Sequence, residues 1–243
     1  MENFLKDKIK SYFKEQSTFS KDKLVDCIQS DFPNLKESTI SVYLSRLTKE
    51  GIIKNPERGL YALNEKKEFS PLVDPKLKRL FNKVKKEFPY AEFCIWNTIW
   101  LNEFMKHQPF RFYTVLELDK DVTESVFHML KEDGKEVYIE PGAETFDLYI
   151  SNSEDVILLK YLISEAPIQN IENFVVPTIE KLLVDMTIDT KLYAAQQSEI
   201  QIIFTNAFKK YEINKSKMKR YAYRRNRENE IVNLTNLTLA KNE

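Results

Sequence analysis

The segment STISVYLSRLTKEGIIKNPERGLYAL, residues 38–63, constrains the fold more tightly than any other part of the chain. Ile40, Tyr43, Leu44 and Leu47 recur at the i, i+3, i+4, i+7 spacing of a helix with one buried stripe. Ser38, Ser41, Val42, Ser45, Arg46 and Lys49 fall on the opposite face, where all but the valine are polar or basic. Gly51 is placed to end that helix, because helices commonly terminate on a left-handed residue and glycine adopts that conformation without a Cβ penalty. Two short strands then flank a tight return on Pro56 and Gly59. A helix followed by a two-strand wing is the second half of a winged helix-turn-helix. Such a polar face fits a major groove, and its cations reach phosphates.

The upstream residues supply the first half. Residues 2–15 read as a helix with Leu5, Ile9, Tyr12 and Phe13 at helical spacing. Ser17-Thr18-Phe19 reads as a short extended piece, and Ser20 as the N-cap of a second helix with Leu24 and Ile28 inward. Pro33 ends that helix, and residues 34–36 turn into the next. The expected organisation is a winged helix-turn-helix over 1–63, a connection over 64–75 carrying Ser-Pro and Asp-Pro steps, and a second domain over 76–243. Asp74 and Pro75 look like an N-cap and first helical residue, opening a helix over 75–88. Strands are expected over 92–96, 112–118, 135–139 and 146–150, and helices over 98–107 and 123–132. The apolar run 156–162 is left open between strand and helix, since a short run of this kind has no diagnostic period. Three helices, 177–190, 197–211 and 215–226, should close the chain. The expected class is α+β, with the winged helix-turn-helix followed by a mixed α/β domain that ends in helices.

A chain of 243 residues can bury two modest cores. Its formal net charge of zero conceals segregation. Residues 209–227 carry nine bases against Glu212 alone, whereas residues 64–208 carry 24 acids and 16 bases. Residues 1–63 hold 11 bases and 9 acids, so an argument for nucleic acid has to be local rather than global. The opening MENFLKDKIK lacks the apolar core of a signal peptide, and no run of eighteen apolar residues suggests a membrane span. Cys27 and Cys94, distant and in apolar surroundings, read as buried free thiols of a cytoplasmic protein.

Two phrases carry a resemblance. Arg58-Gly59-Leu60-Tyr61-Ala62-Leu63 closes the wing on an R-G-x-Y-x-L pattern, and VPTIEKLLVD at 176–185 is a Pro-led apolar helix bearing Leu-Leu-x-Asp. Both resemble the AbiEi-type antitoxins of abortive-infection, type IV toxin–antitoxin systems, and the order of elements between them is similar. The resemblance implies a transcriptional regulator that represses its own operon. Its genetic partner would be a nucleotidyltransferase-like toxin, with no stable complex required.

For DNA contact, Ser38, Thr39, Ser41, Val42, Ser45 and Arg46 are the candidate groove residues. Lys36 and Lys49 are candidate phosphate contacts, and Lys54 and Arg58 would reach the backbone or minor groove from the wing. The expected partner is a double-stranded operator, contacted by a homodimer or at repeated sites; the alternative is a winged helix that docks a protein. Lys215, Lys217, Lys219, Arg220, Arg224, Arg225 and Arg227 form either a second phosphate-contact patch or a helix packed on the acidic middle region, with Met218, Tyr221 and Ala222 inward.

No catalytic role is expected. Asp119-Lys120-Asp121 has the shape of a nucleotidyltransferase D-x-D, yet the chain contains no Gly-Ser dipeptide for the phosphate turn. A helix start with Asp121 capping and Glu124 reaching back explains it more simply. His107 and His128 are the only histidines and lie without ligand spacing, so neither metal nor cofactor is expected. Trp96 and Trp100 read as core anchors rather than a stacking platform.

Overall fold

The computed structural model describes residues 8–13, 16–49, 52–64 and 66–240. The chain divides into two compact units, residues 1–67 and 68–243.

In the first unit residues 8–12 are helical (α1). They are followed by β1 (Thr18–Ser20), α2 (Lys21–Asp31), α3 (Glu37–Lys49), β2 (Ile53–Lys54) and β3 (Leu60–Leu63). The strands form an antiparallel sheet in the order β1-β3-β2, with Phe19 opposite Tyr61 and Ile53 opposite Leu63. Ser20 starts α2 because its hydroxyl accepts the Lys23 amide, one of the helix's otherwise unbonded donors. The chain reverses after α2 at Pro33-Asn34, where the Leu35 amide donates to the Phe32 carbonyl. The helical periodicity then explains the core: Ile9, Leu24, Ile28, Ile40 and Leu44 are fully buried together, with Phe13 and Phe19 edge to face at their side. Leu5 and Gly51, assigned to the first helix and to the end of α3, lie outside the described residues.

The β2–β3 return depends on Gly59, whose φ of +77° belongs to the left-handed region and whose carbonyl accepts the Lys21 amide. Nothing lies within 4 Å of where a Cβ would sit, so a side chain there meets backbone strain and no collision. Gly59→Val should therefore cost about 1–2 kcal/mol. Faster hydrogen exchange at the β1 and β3 amides would report that loss, and unchanged exchange would contradict it.

The second unit opens on α4 (Pro75–Glu87), capped by Asp74, whose Oδ1 accepts the amides of Lys76 at 2.7 Å and Leu77 at 3.0 Å. Then come β4 (Phe93–Asn97), a 3-10 helix (Thr98–Phe104), β5 (Thr114–Leu118), α5 (Lys120–Glu132) and β6 (Val137–Ile139). A short α6 (Ala143–Thr145) runs into a π-helical turn (Phe146–Ile150) and leads to β7 (Ile157–Tyr161). A hairpin of β8 (Ile168–Ile171) and β9 (Phe174–Pro177) precedes α7 (Ile179–Asp185), α8 (Ala194–Gln197), α9 (Ile200–Lys210), α10 (Lys215–Arg224) and α11 (Glu228–Ala240). The main sheet has the order β4-β5-β7-β6, in which β5, β7 and β6 are parallel and β4 is an antiparallel edge. The chain is mixed α+β. No helix among the described residues is long and apolar enough to cross a membrane.

Several elements differ from the sequence reading. Residues 146–150 are not a strand: Phe146 and Ile150 are buried while Leu148 and Tyr149 are exposed, a one-turn rather than alternating pattern. Residues 98–107 form a 3-10 helix that stops at Phe104, and Lys106 and His107 instead donate their amides to the Glu199 carboxylate. Asp121 does not cap α5; the helix begins at Lys120 with Asp119 in the capping position, and Thr123 bonds back to the Asp119 carbonyl. Val176 and Pro177 belong to β9, so the helix expected over 177–190 shrinks to α7. The ambiguous run is the strand β7, flanked by β5 and β6. The hairpin β8–β9 and helix α11 had no counterpart in the sequence reading. Cys27 is half-buried rather than buried, whereas burial pushes the Cys94 thiol well above its ordinary range. Trp96 and Trp100 are both core residues.

Candidate functional site

Two places in the molecule gather chemistry-bearing side chains. The first is α3. Ile40, Leu44 and Leu47 hold one side of it in the core. On the other side Ser38, Ser45, Arg46 and Lys49 are exposed with Val42, which keeps 53% of its surface, while Thr39 and Ser41 are half-buried. Lys36 is exposed just before the helix, where its carbonyl accepts the Thr39 and Ile40 amides. Lys54 and Arg58 are exposed on the β2–β3 hairpin. All ten candidate contact residues thus lie on one helix, its entry and its neighbouring hairpin.

The basic run at α10 is more occupied. Met218, Tyr221 and Ala222 are buried, as helical spacing requires. Arg224 pairs with Glu165, Lys219 with Glu228 at 3.3 Å, and Arg227 with Glu230 at 3.5 Å. Arg225 lies 3.5 Å from Asp185. Four of the seven candidate phosphate contacts therefore face acids of their own unit, while Lys215 and Arg220 are exposed and Lys217 is half-buried. A second basic helix escaped the sequence reading: α4 carries Lys76, Lys78, Arg79, Lys83, Lys85 and Lys86 against Glu87 alone. Counting residues 64–208 as one acidic block hid it. Lys76, Lys78 and Lys83 pair with Asp155, Glu172 and Asp133.

The second place lies at the carboxyl ends of the parallel strands. Glu117 on β5, Lys181 and Asp185 on α7, and Trp96 on β4 are all buried. The Lys181 ammonium donates to Glu117 Oε1 and Asp185 Oδ2, each at 2.6 Å. Trp96 Nε1 donates to Glu117 Oε1 at 2.9 Å, and the Tyr221 hydroxyl donates to Asp185 Oδ1 at 2.9 Å. Burial alone would lower the Lys181 pKa, but the two carboxylates outweigh it and hold it well above the ordinary lysine range, so this lysine is an ammonium. Burial likewise raises the Tyr193 and Tyr221 hydroxyls.

Beside this cluster opens a cavity of about 520 Å³, edged by Glu140, Lys160, Asp189, Thr190 and Arg225. Lys160 bridges Asp189 at 2.5 Å and Glu140 at 3.3 Å. Burial works against its charge, yet those two acids raise its pKa overall. Sequence reasoning assigns Trp96 to the core, Tyr221 to the inner side of its helix and Arg225 to the basic patch, and it brings none of these residues together as a site. The one local signal is the i, i+4 spacing of Lys181 and Asp185 on a helix whose other residues, Glu180 apart, are apolar.

The sequence model of a family of unknown function matches residues 39–241. The chain belongs to that family, DUF6577. No curated protein matches it. The span shared with DUF6577 takes in α3 from its third residue, the β2–β3 hairpin and the second unit as far as α11. It leaves out α1, β1 and α2. The exposed face of α3 from Val42 to Lys49 and the buried Glu117–Lys181–Asp185 cluster therefore fall within the DUF6577 region, and Lys36 and Ser38 lie before it. Elsewhere in this DUF6577 chain, Asp119 and Asp121 are exposed, and His107 meets Glu199 rather than His128. Among the described residues no group of three or more His, Cys, Asp or Glu could hold a metal ion.

Proposed function

We propose that this chain is a DNA-binding transcriptional regulator whose first unit is a winged helix-turn-helix. One observation carries the reading: α3 buries its Ile40–Leu44–Leu47 side and exposes Ser38, Ser45, Arg46 and Lys49, beside a hairpin that bears Lys54 and Arg58. The β1-β3-β2 order of the small sheet suits a wing packed beside a recognition helix. In this reading α3 enters the major groove of an operator. Ser41, Ser45 and Arg46 address base edges, Val42 meets a thymine methyl, and Lys36, Lys49, Lys54 and Arg58 take phosphates. The resemblance of the 58–63 and 176–185 phrases to AbiEi-type antitoxins supports an autorepressing antitoxin, encoded beside a nucleotidyltransferase-like toxin.

A protein-docking role for the same face draws support from Val42, an apolar group exposed in the middle of the helix. The two readings separate on salt. Each phosphate neutralised by a lysine or arginine should contribute about −0.9 to the slope of log affinity against log salt.

The test is a gel-shift titration with the region upstream of the chain's own gene. Arg46→Ala should weaken binding by about 1–3 kcal/mol, and should relax preference at one base pair if the guanidinium reads a guanine. Parent-like binding by both Arg46→Ala and Ser41→Ala would overturn the assignment of this face. So would the absence of any salt-dependent complex.

A further inference from the structure

The cavity at the carboxyl ends of β5, β7 and β6 is equipped for a small molecule. Open α/β sheets bind ligands outside the carboxyl ends of their strands. The volume of about 520 Å³ falls within the roughly 300–1,000 Å³ of small-ligand sites.

Charge divides this cavity into two ends. At one, Glu140 and Asp189 share Lys160, which leaves one negative charge without a counterion in the trio. Lys191, nearby on the rim, is drawn off by Asp147. At the other end Glu117 and Asp185 are balanced by Lys181 and Arg225. Hydrogen bonding there is incomplete. Arg225 Nε is buried and has no hydrogen-bond partner among the described residues, although its side chain keeps 22% of its surface. It lies 3.5 Å from Asp185 Oδ1, outside hydrogen-bond geometry. Arg225 is therefore held loosely by Asp185, and the part of its side chain that stays exposed lines the cavity, where a planar carboxylate is the acceptor a guanidinium satisfies best. Between the ends, Ile163, Ile188 and Leu192 offer apolar surface.

We propose that this cavity binds a small zwitterion of amino-acid type with an apolar body, its carboxylate on Arg225 and its ammonium beside Glu140 and Asp189. A nucleotide would bring several negative charges against four lining carboxylates, Glu117, Glu140, Asp185 and Asp189. A polyamine would set its cations against Arg225 as well as against the acids. A zwitterion answers both ends at once, and the Ile163–Ile188–Leu192 surface selects an aliphatic or aromatic side chain over a polar one.

The experiment uses the full chain without DNA, so its outcome is independent of the regulator reading. Free leucine, methionine, phenylalanine and tryptophan, with the dipeptide leucyl-leucine as a longer zwitterion, are titrated at millimolar concentration by thermal shift and calorimetry. At least one should raise the melting temperature. Its amide, which lacks the carboxylate, and its N-acetyl form, which lacks the ammonium, should each bind roughly tenfold more weakly or worse. Arg225→Gln should weaken it by a similar factor. Thr190→Trp, a plug placed on an exposed rim residue, should do the same with the fold intact. Binding by none of the five probes, equal binding of the amide and N-acetyl forms, or undiminished binding by both variants would overturn the proposal. Binding of ATP or spermidine in their place would overturn it too.

Discussion

Replacing Lys181 by methionine should destabilise the second unit by about 3–5 kcal/mol, because removing one partner of a buried ion cluster strands the others. Methionine nearly fills the same space, so the loss is electrostatic rather than a packing defect. Glu117 and Asp185 would remain buried with a tryptophan and a tyrosine as their remaining donors. Urea denaturation followed by tryptophan fluorescence measures the change, since Trp96 sits against Glu117. The combined variant Glu117→Gln, Lys181→Met, Asp185→Asn should recover much of the loss, because it removes the three deeply buried charges together and leaves only the partly exposed Arg225 without its acid. The pH dependence has a definite sign. The folded Lys181 pKa is raised, so its contribution is complete below the unfolded lysine's pKa and disappears only as pH climbs through the folded value. On the alkaline side the gap between parent and Lys181→Met should therefore stay flat from neutrality upward and narrow in strong alkali. A loss below about 1 kcal/mol for Lys181→Met would mean that the cluster is not stabilised as an ion pair.

Reversing charge on α3 should have the largest effect on operator binding. Ser45→Glu with Arg46→Glu places two carboxylates where the groove reading puts a hydroxyl and a guanidinium. The lost Arg46 contact accounts for about 1–3 kcal/mol, and repulsion from phosphates adds to it, so affinity should fall roughly a hundredfold or more. Both positions are exposed, so the change in melting temperature should be small beside the loss of binding. That separation of binding from stability is the readout. A parent-like gel shift with an unchanged melting curve would show that DNA, if bound, is bound elsewhere.

The legible parts of the fold were those governed by neighbours in sequence. Ser20 and Asp74 announce their helices because a cap is a bond from a side chain to an amide two or three residues away. Ile40, Leu44 and Leu47 announce the buried side of α3 because helical period alone brings them to one face. Where several local patterns compete, the same reasoning fails. Residues 146–150 satisfy a loose strand pattern, yet the chain makes a π-helical turn there that buries Phe146 and Ile150 one turn apart. Helix α11, rich in asparagine and threonine, has poor intrinsic propensity, and burial of Ile231, Thr235 and Thr238 is what supports it.

The exposed side of α3 and its neighbouring hairpin were readable from one stretch of fewer than thirty residues, since every choice there is made within a turn or two of chain. The cavity was not. Glu117 and Lys181 are 64 residues apart, and only the packing of α7 against the β-sheet makes them partners. Likewise the run 157–161 became a central parallel strand only through its pairing with β5 and β6. Side-chain period is a local property, whereas burial, and with it the strength and pKa of a charge cluster, depends on what long-range packing removes from water.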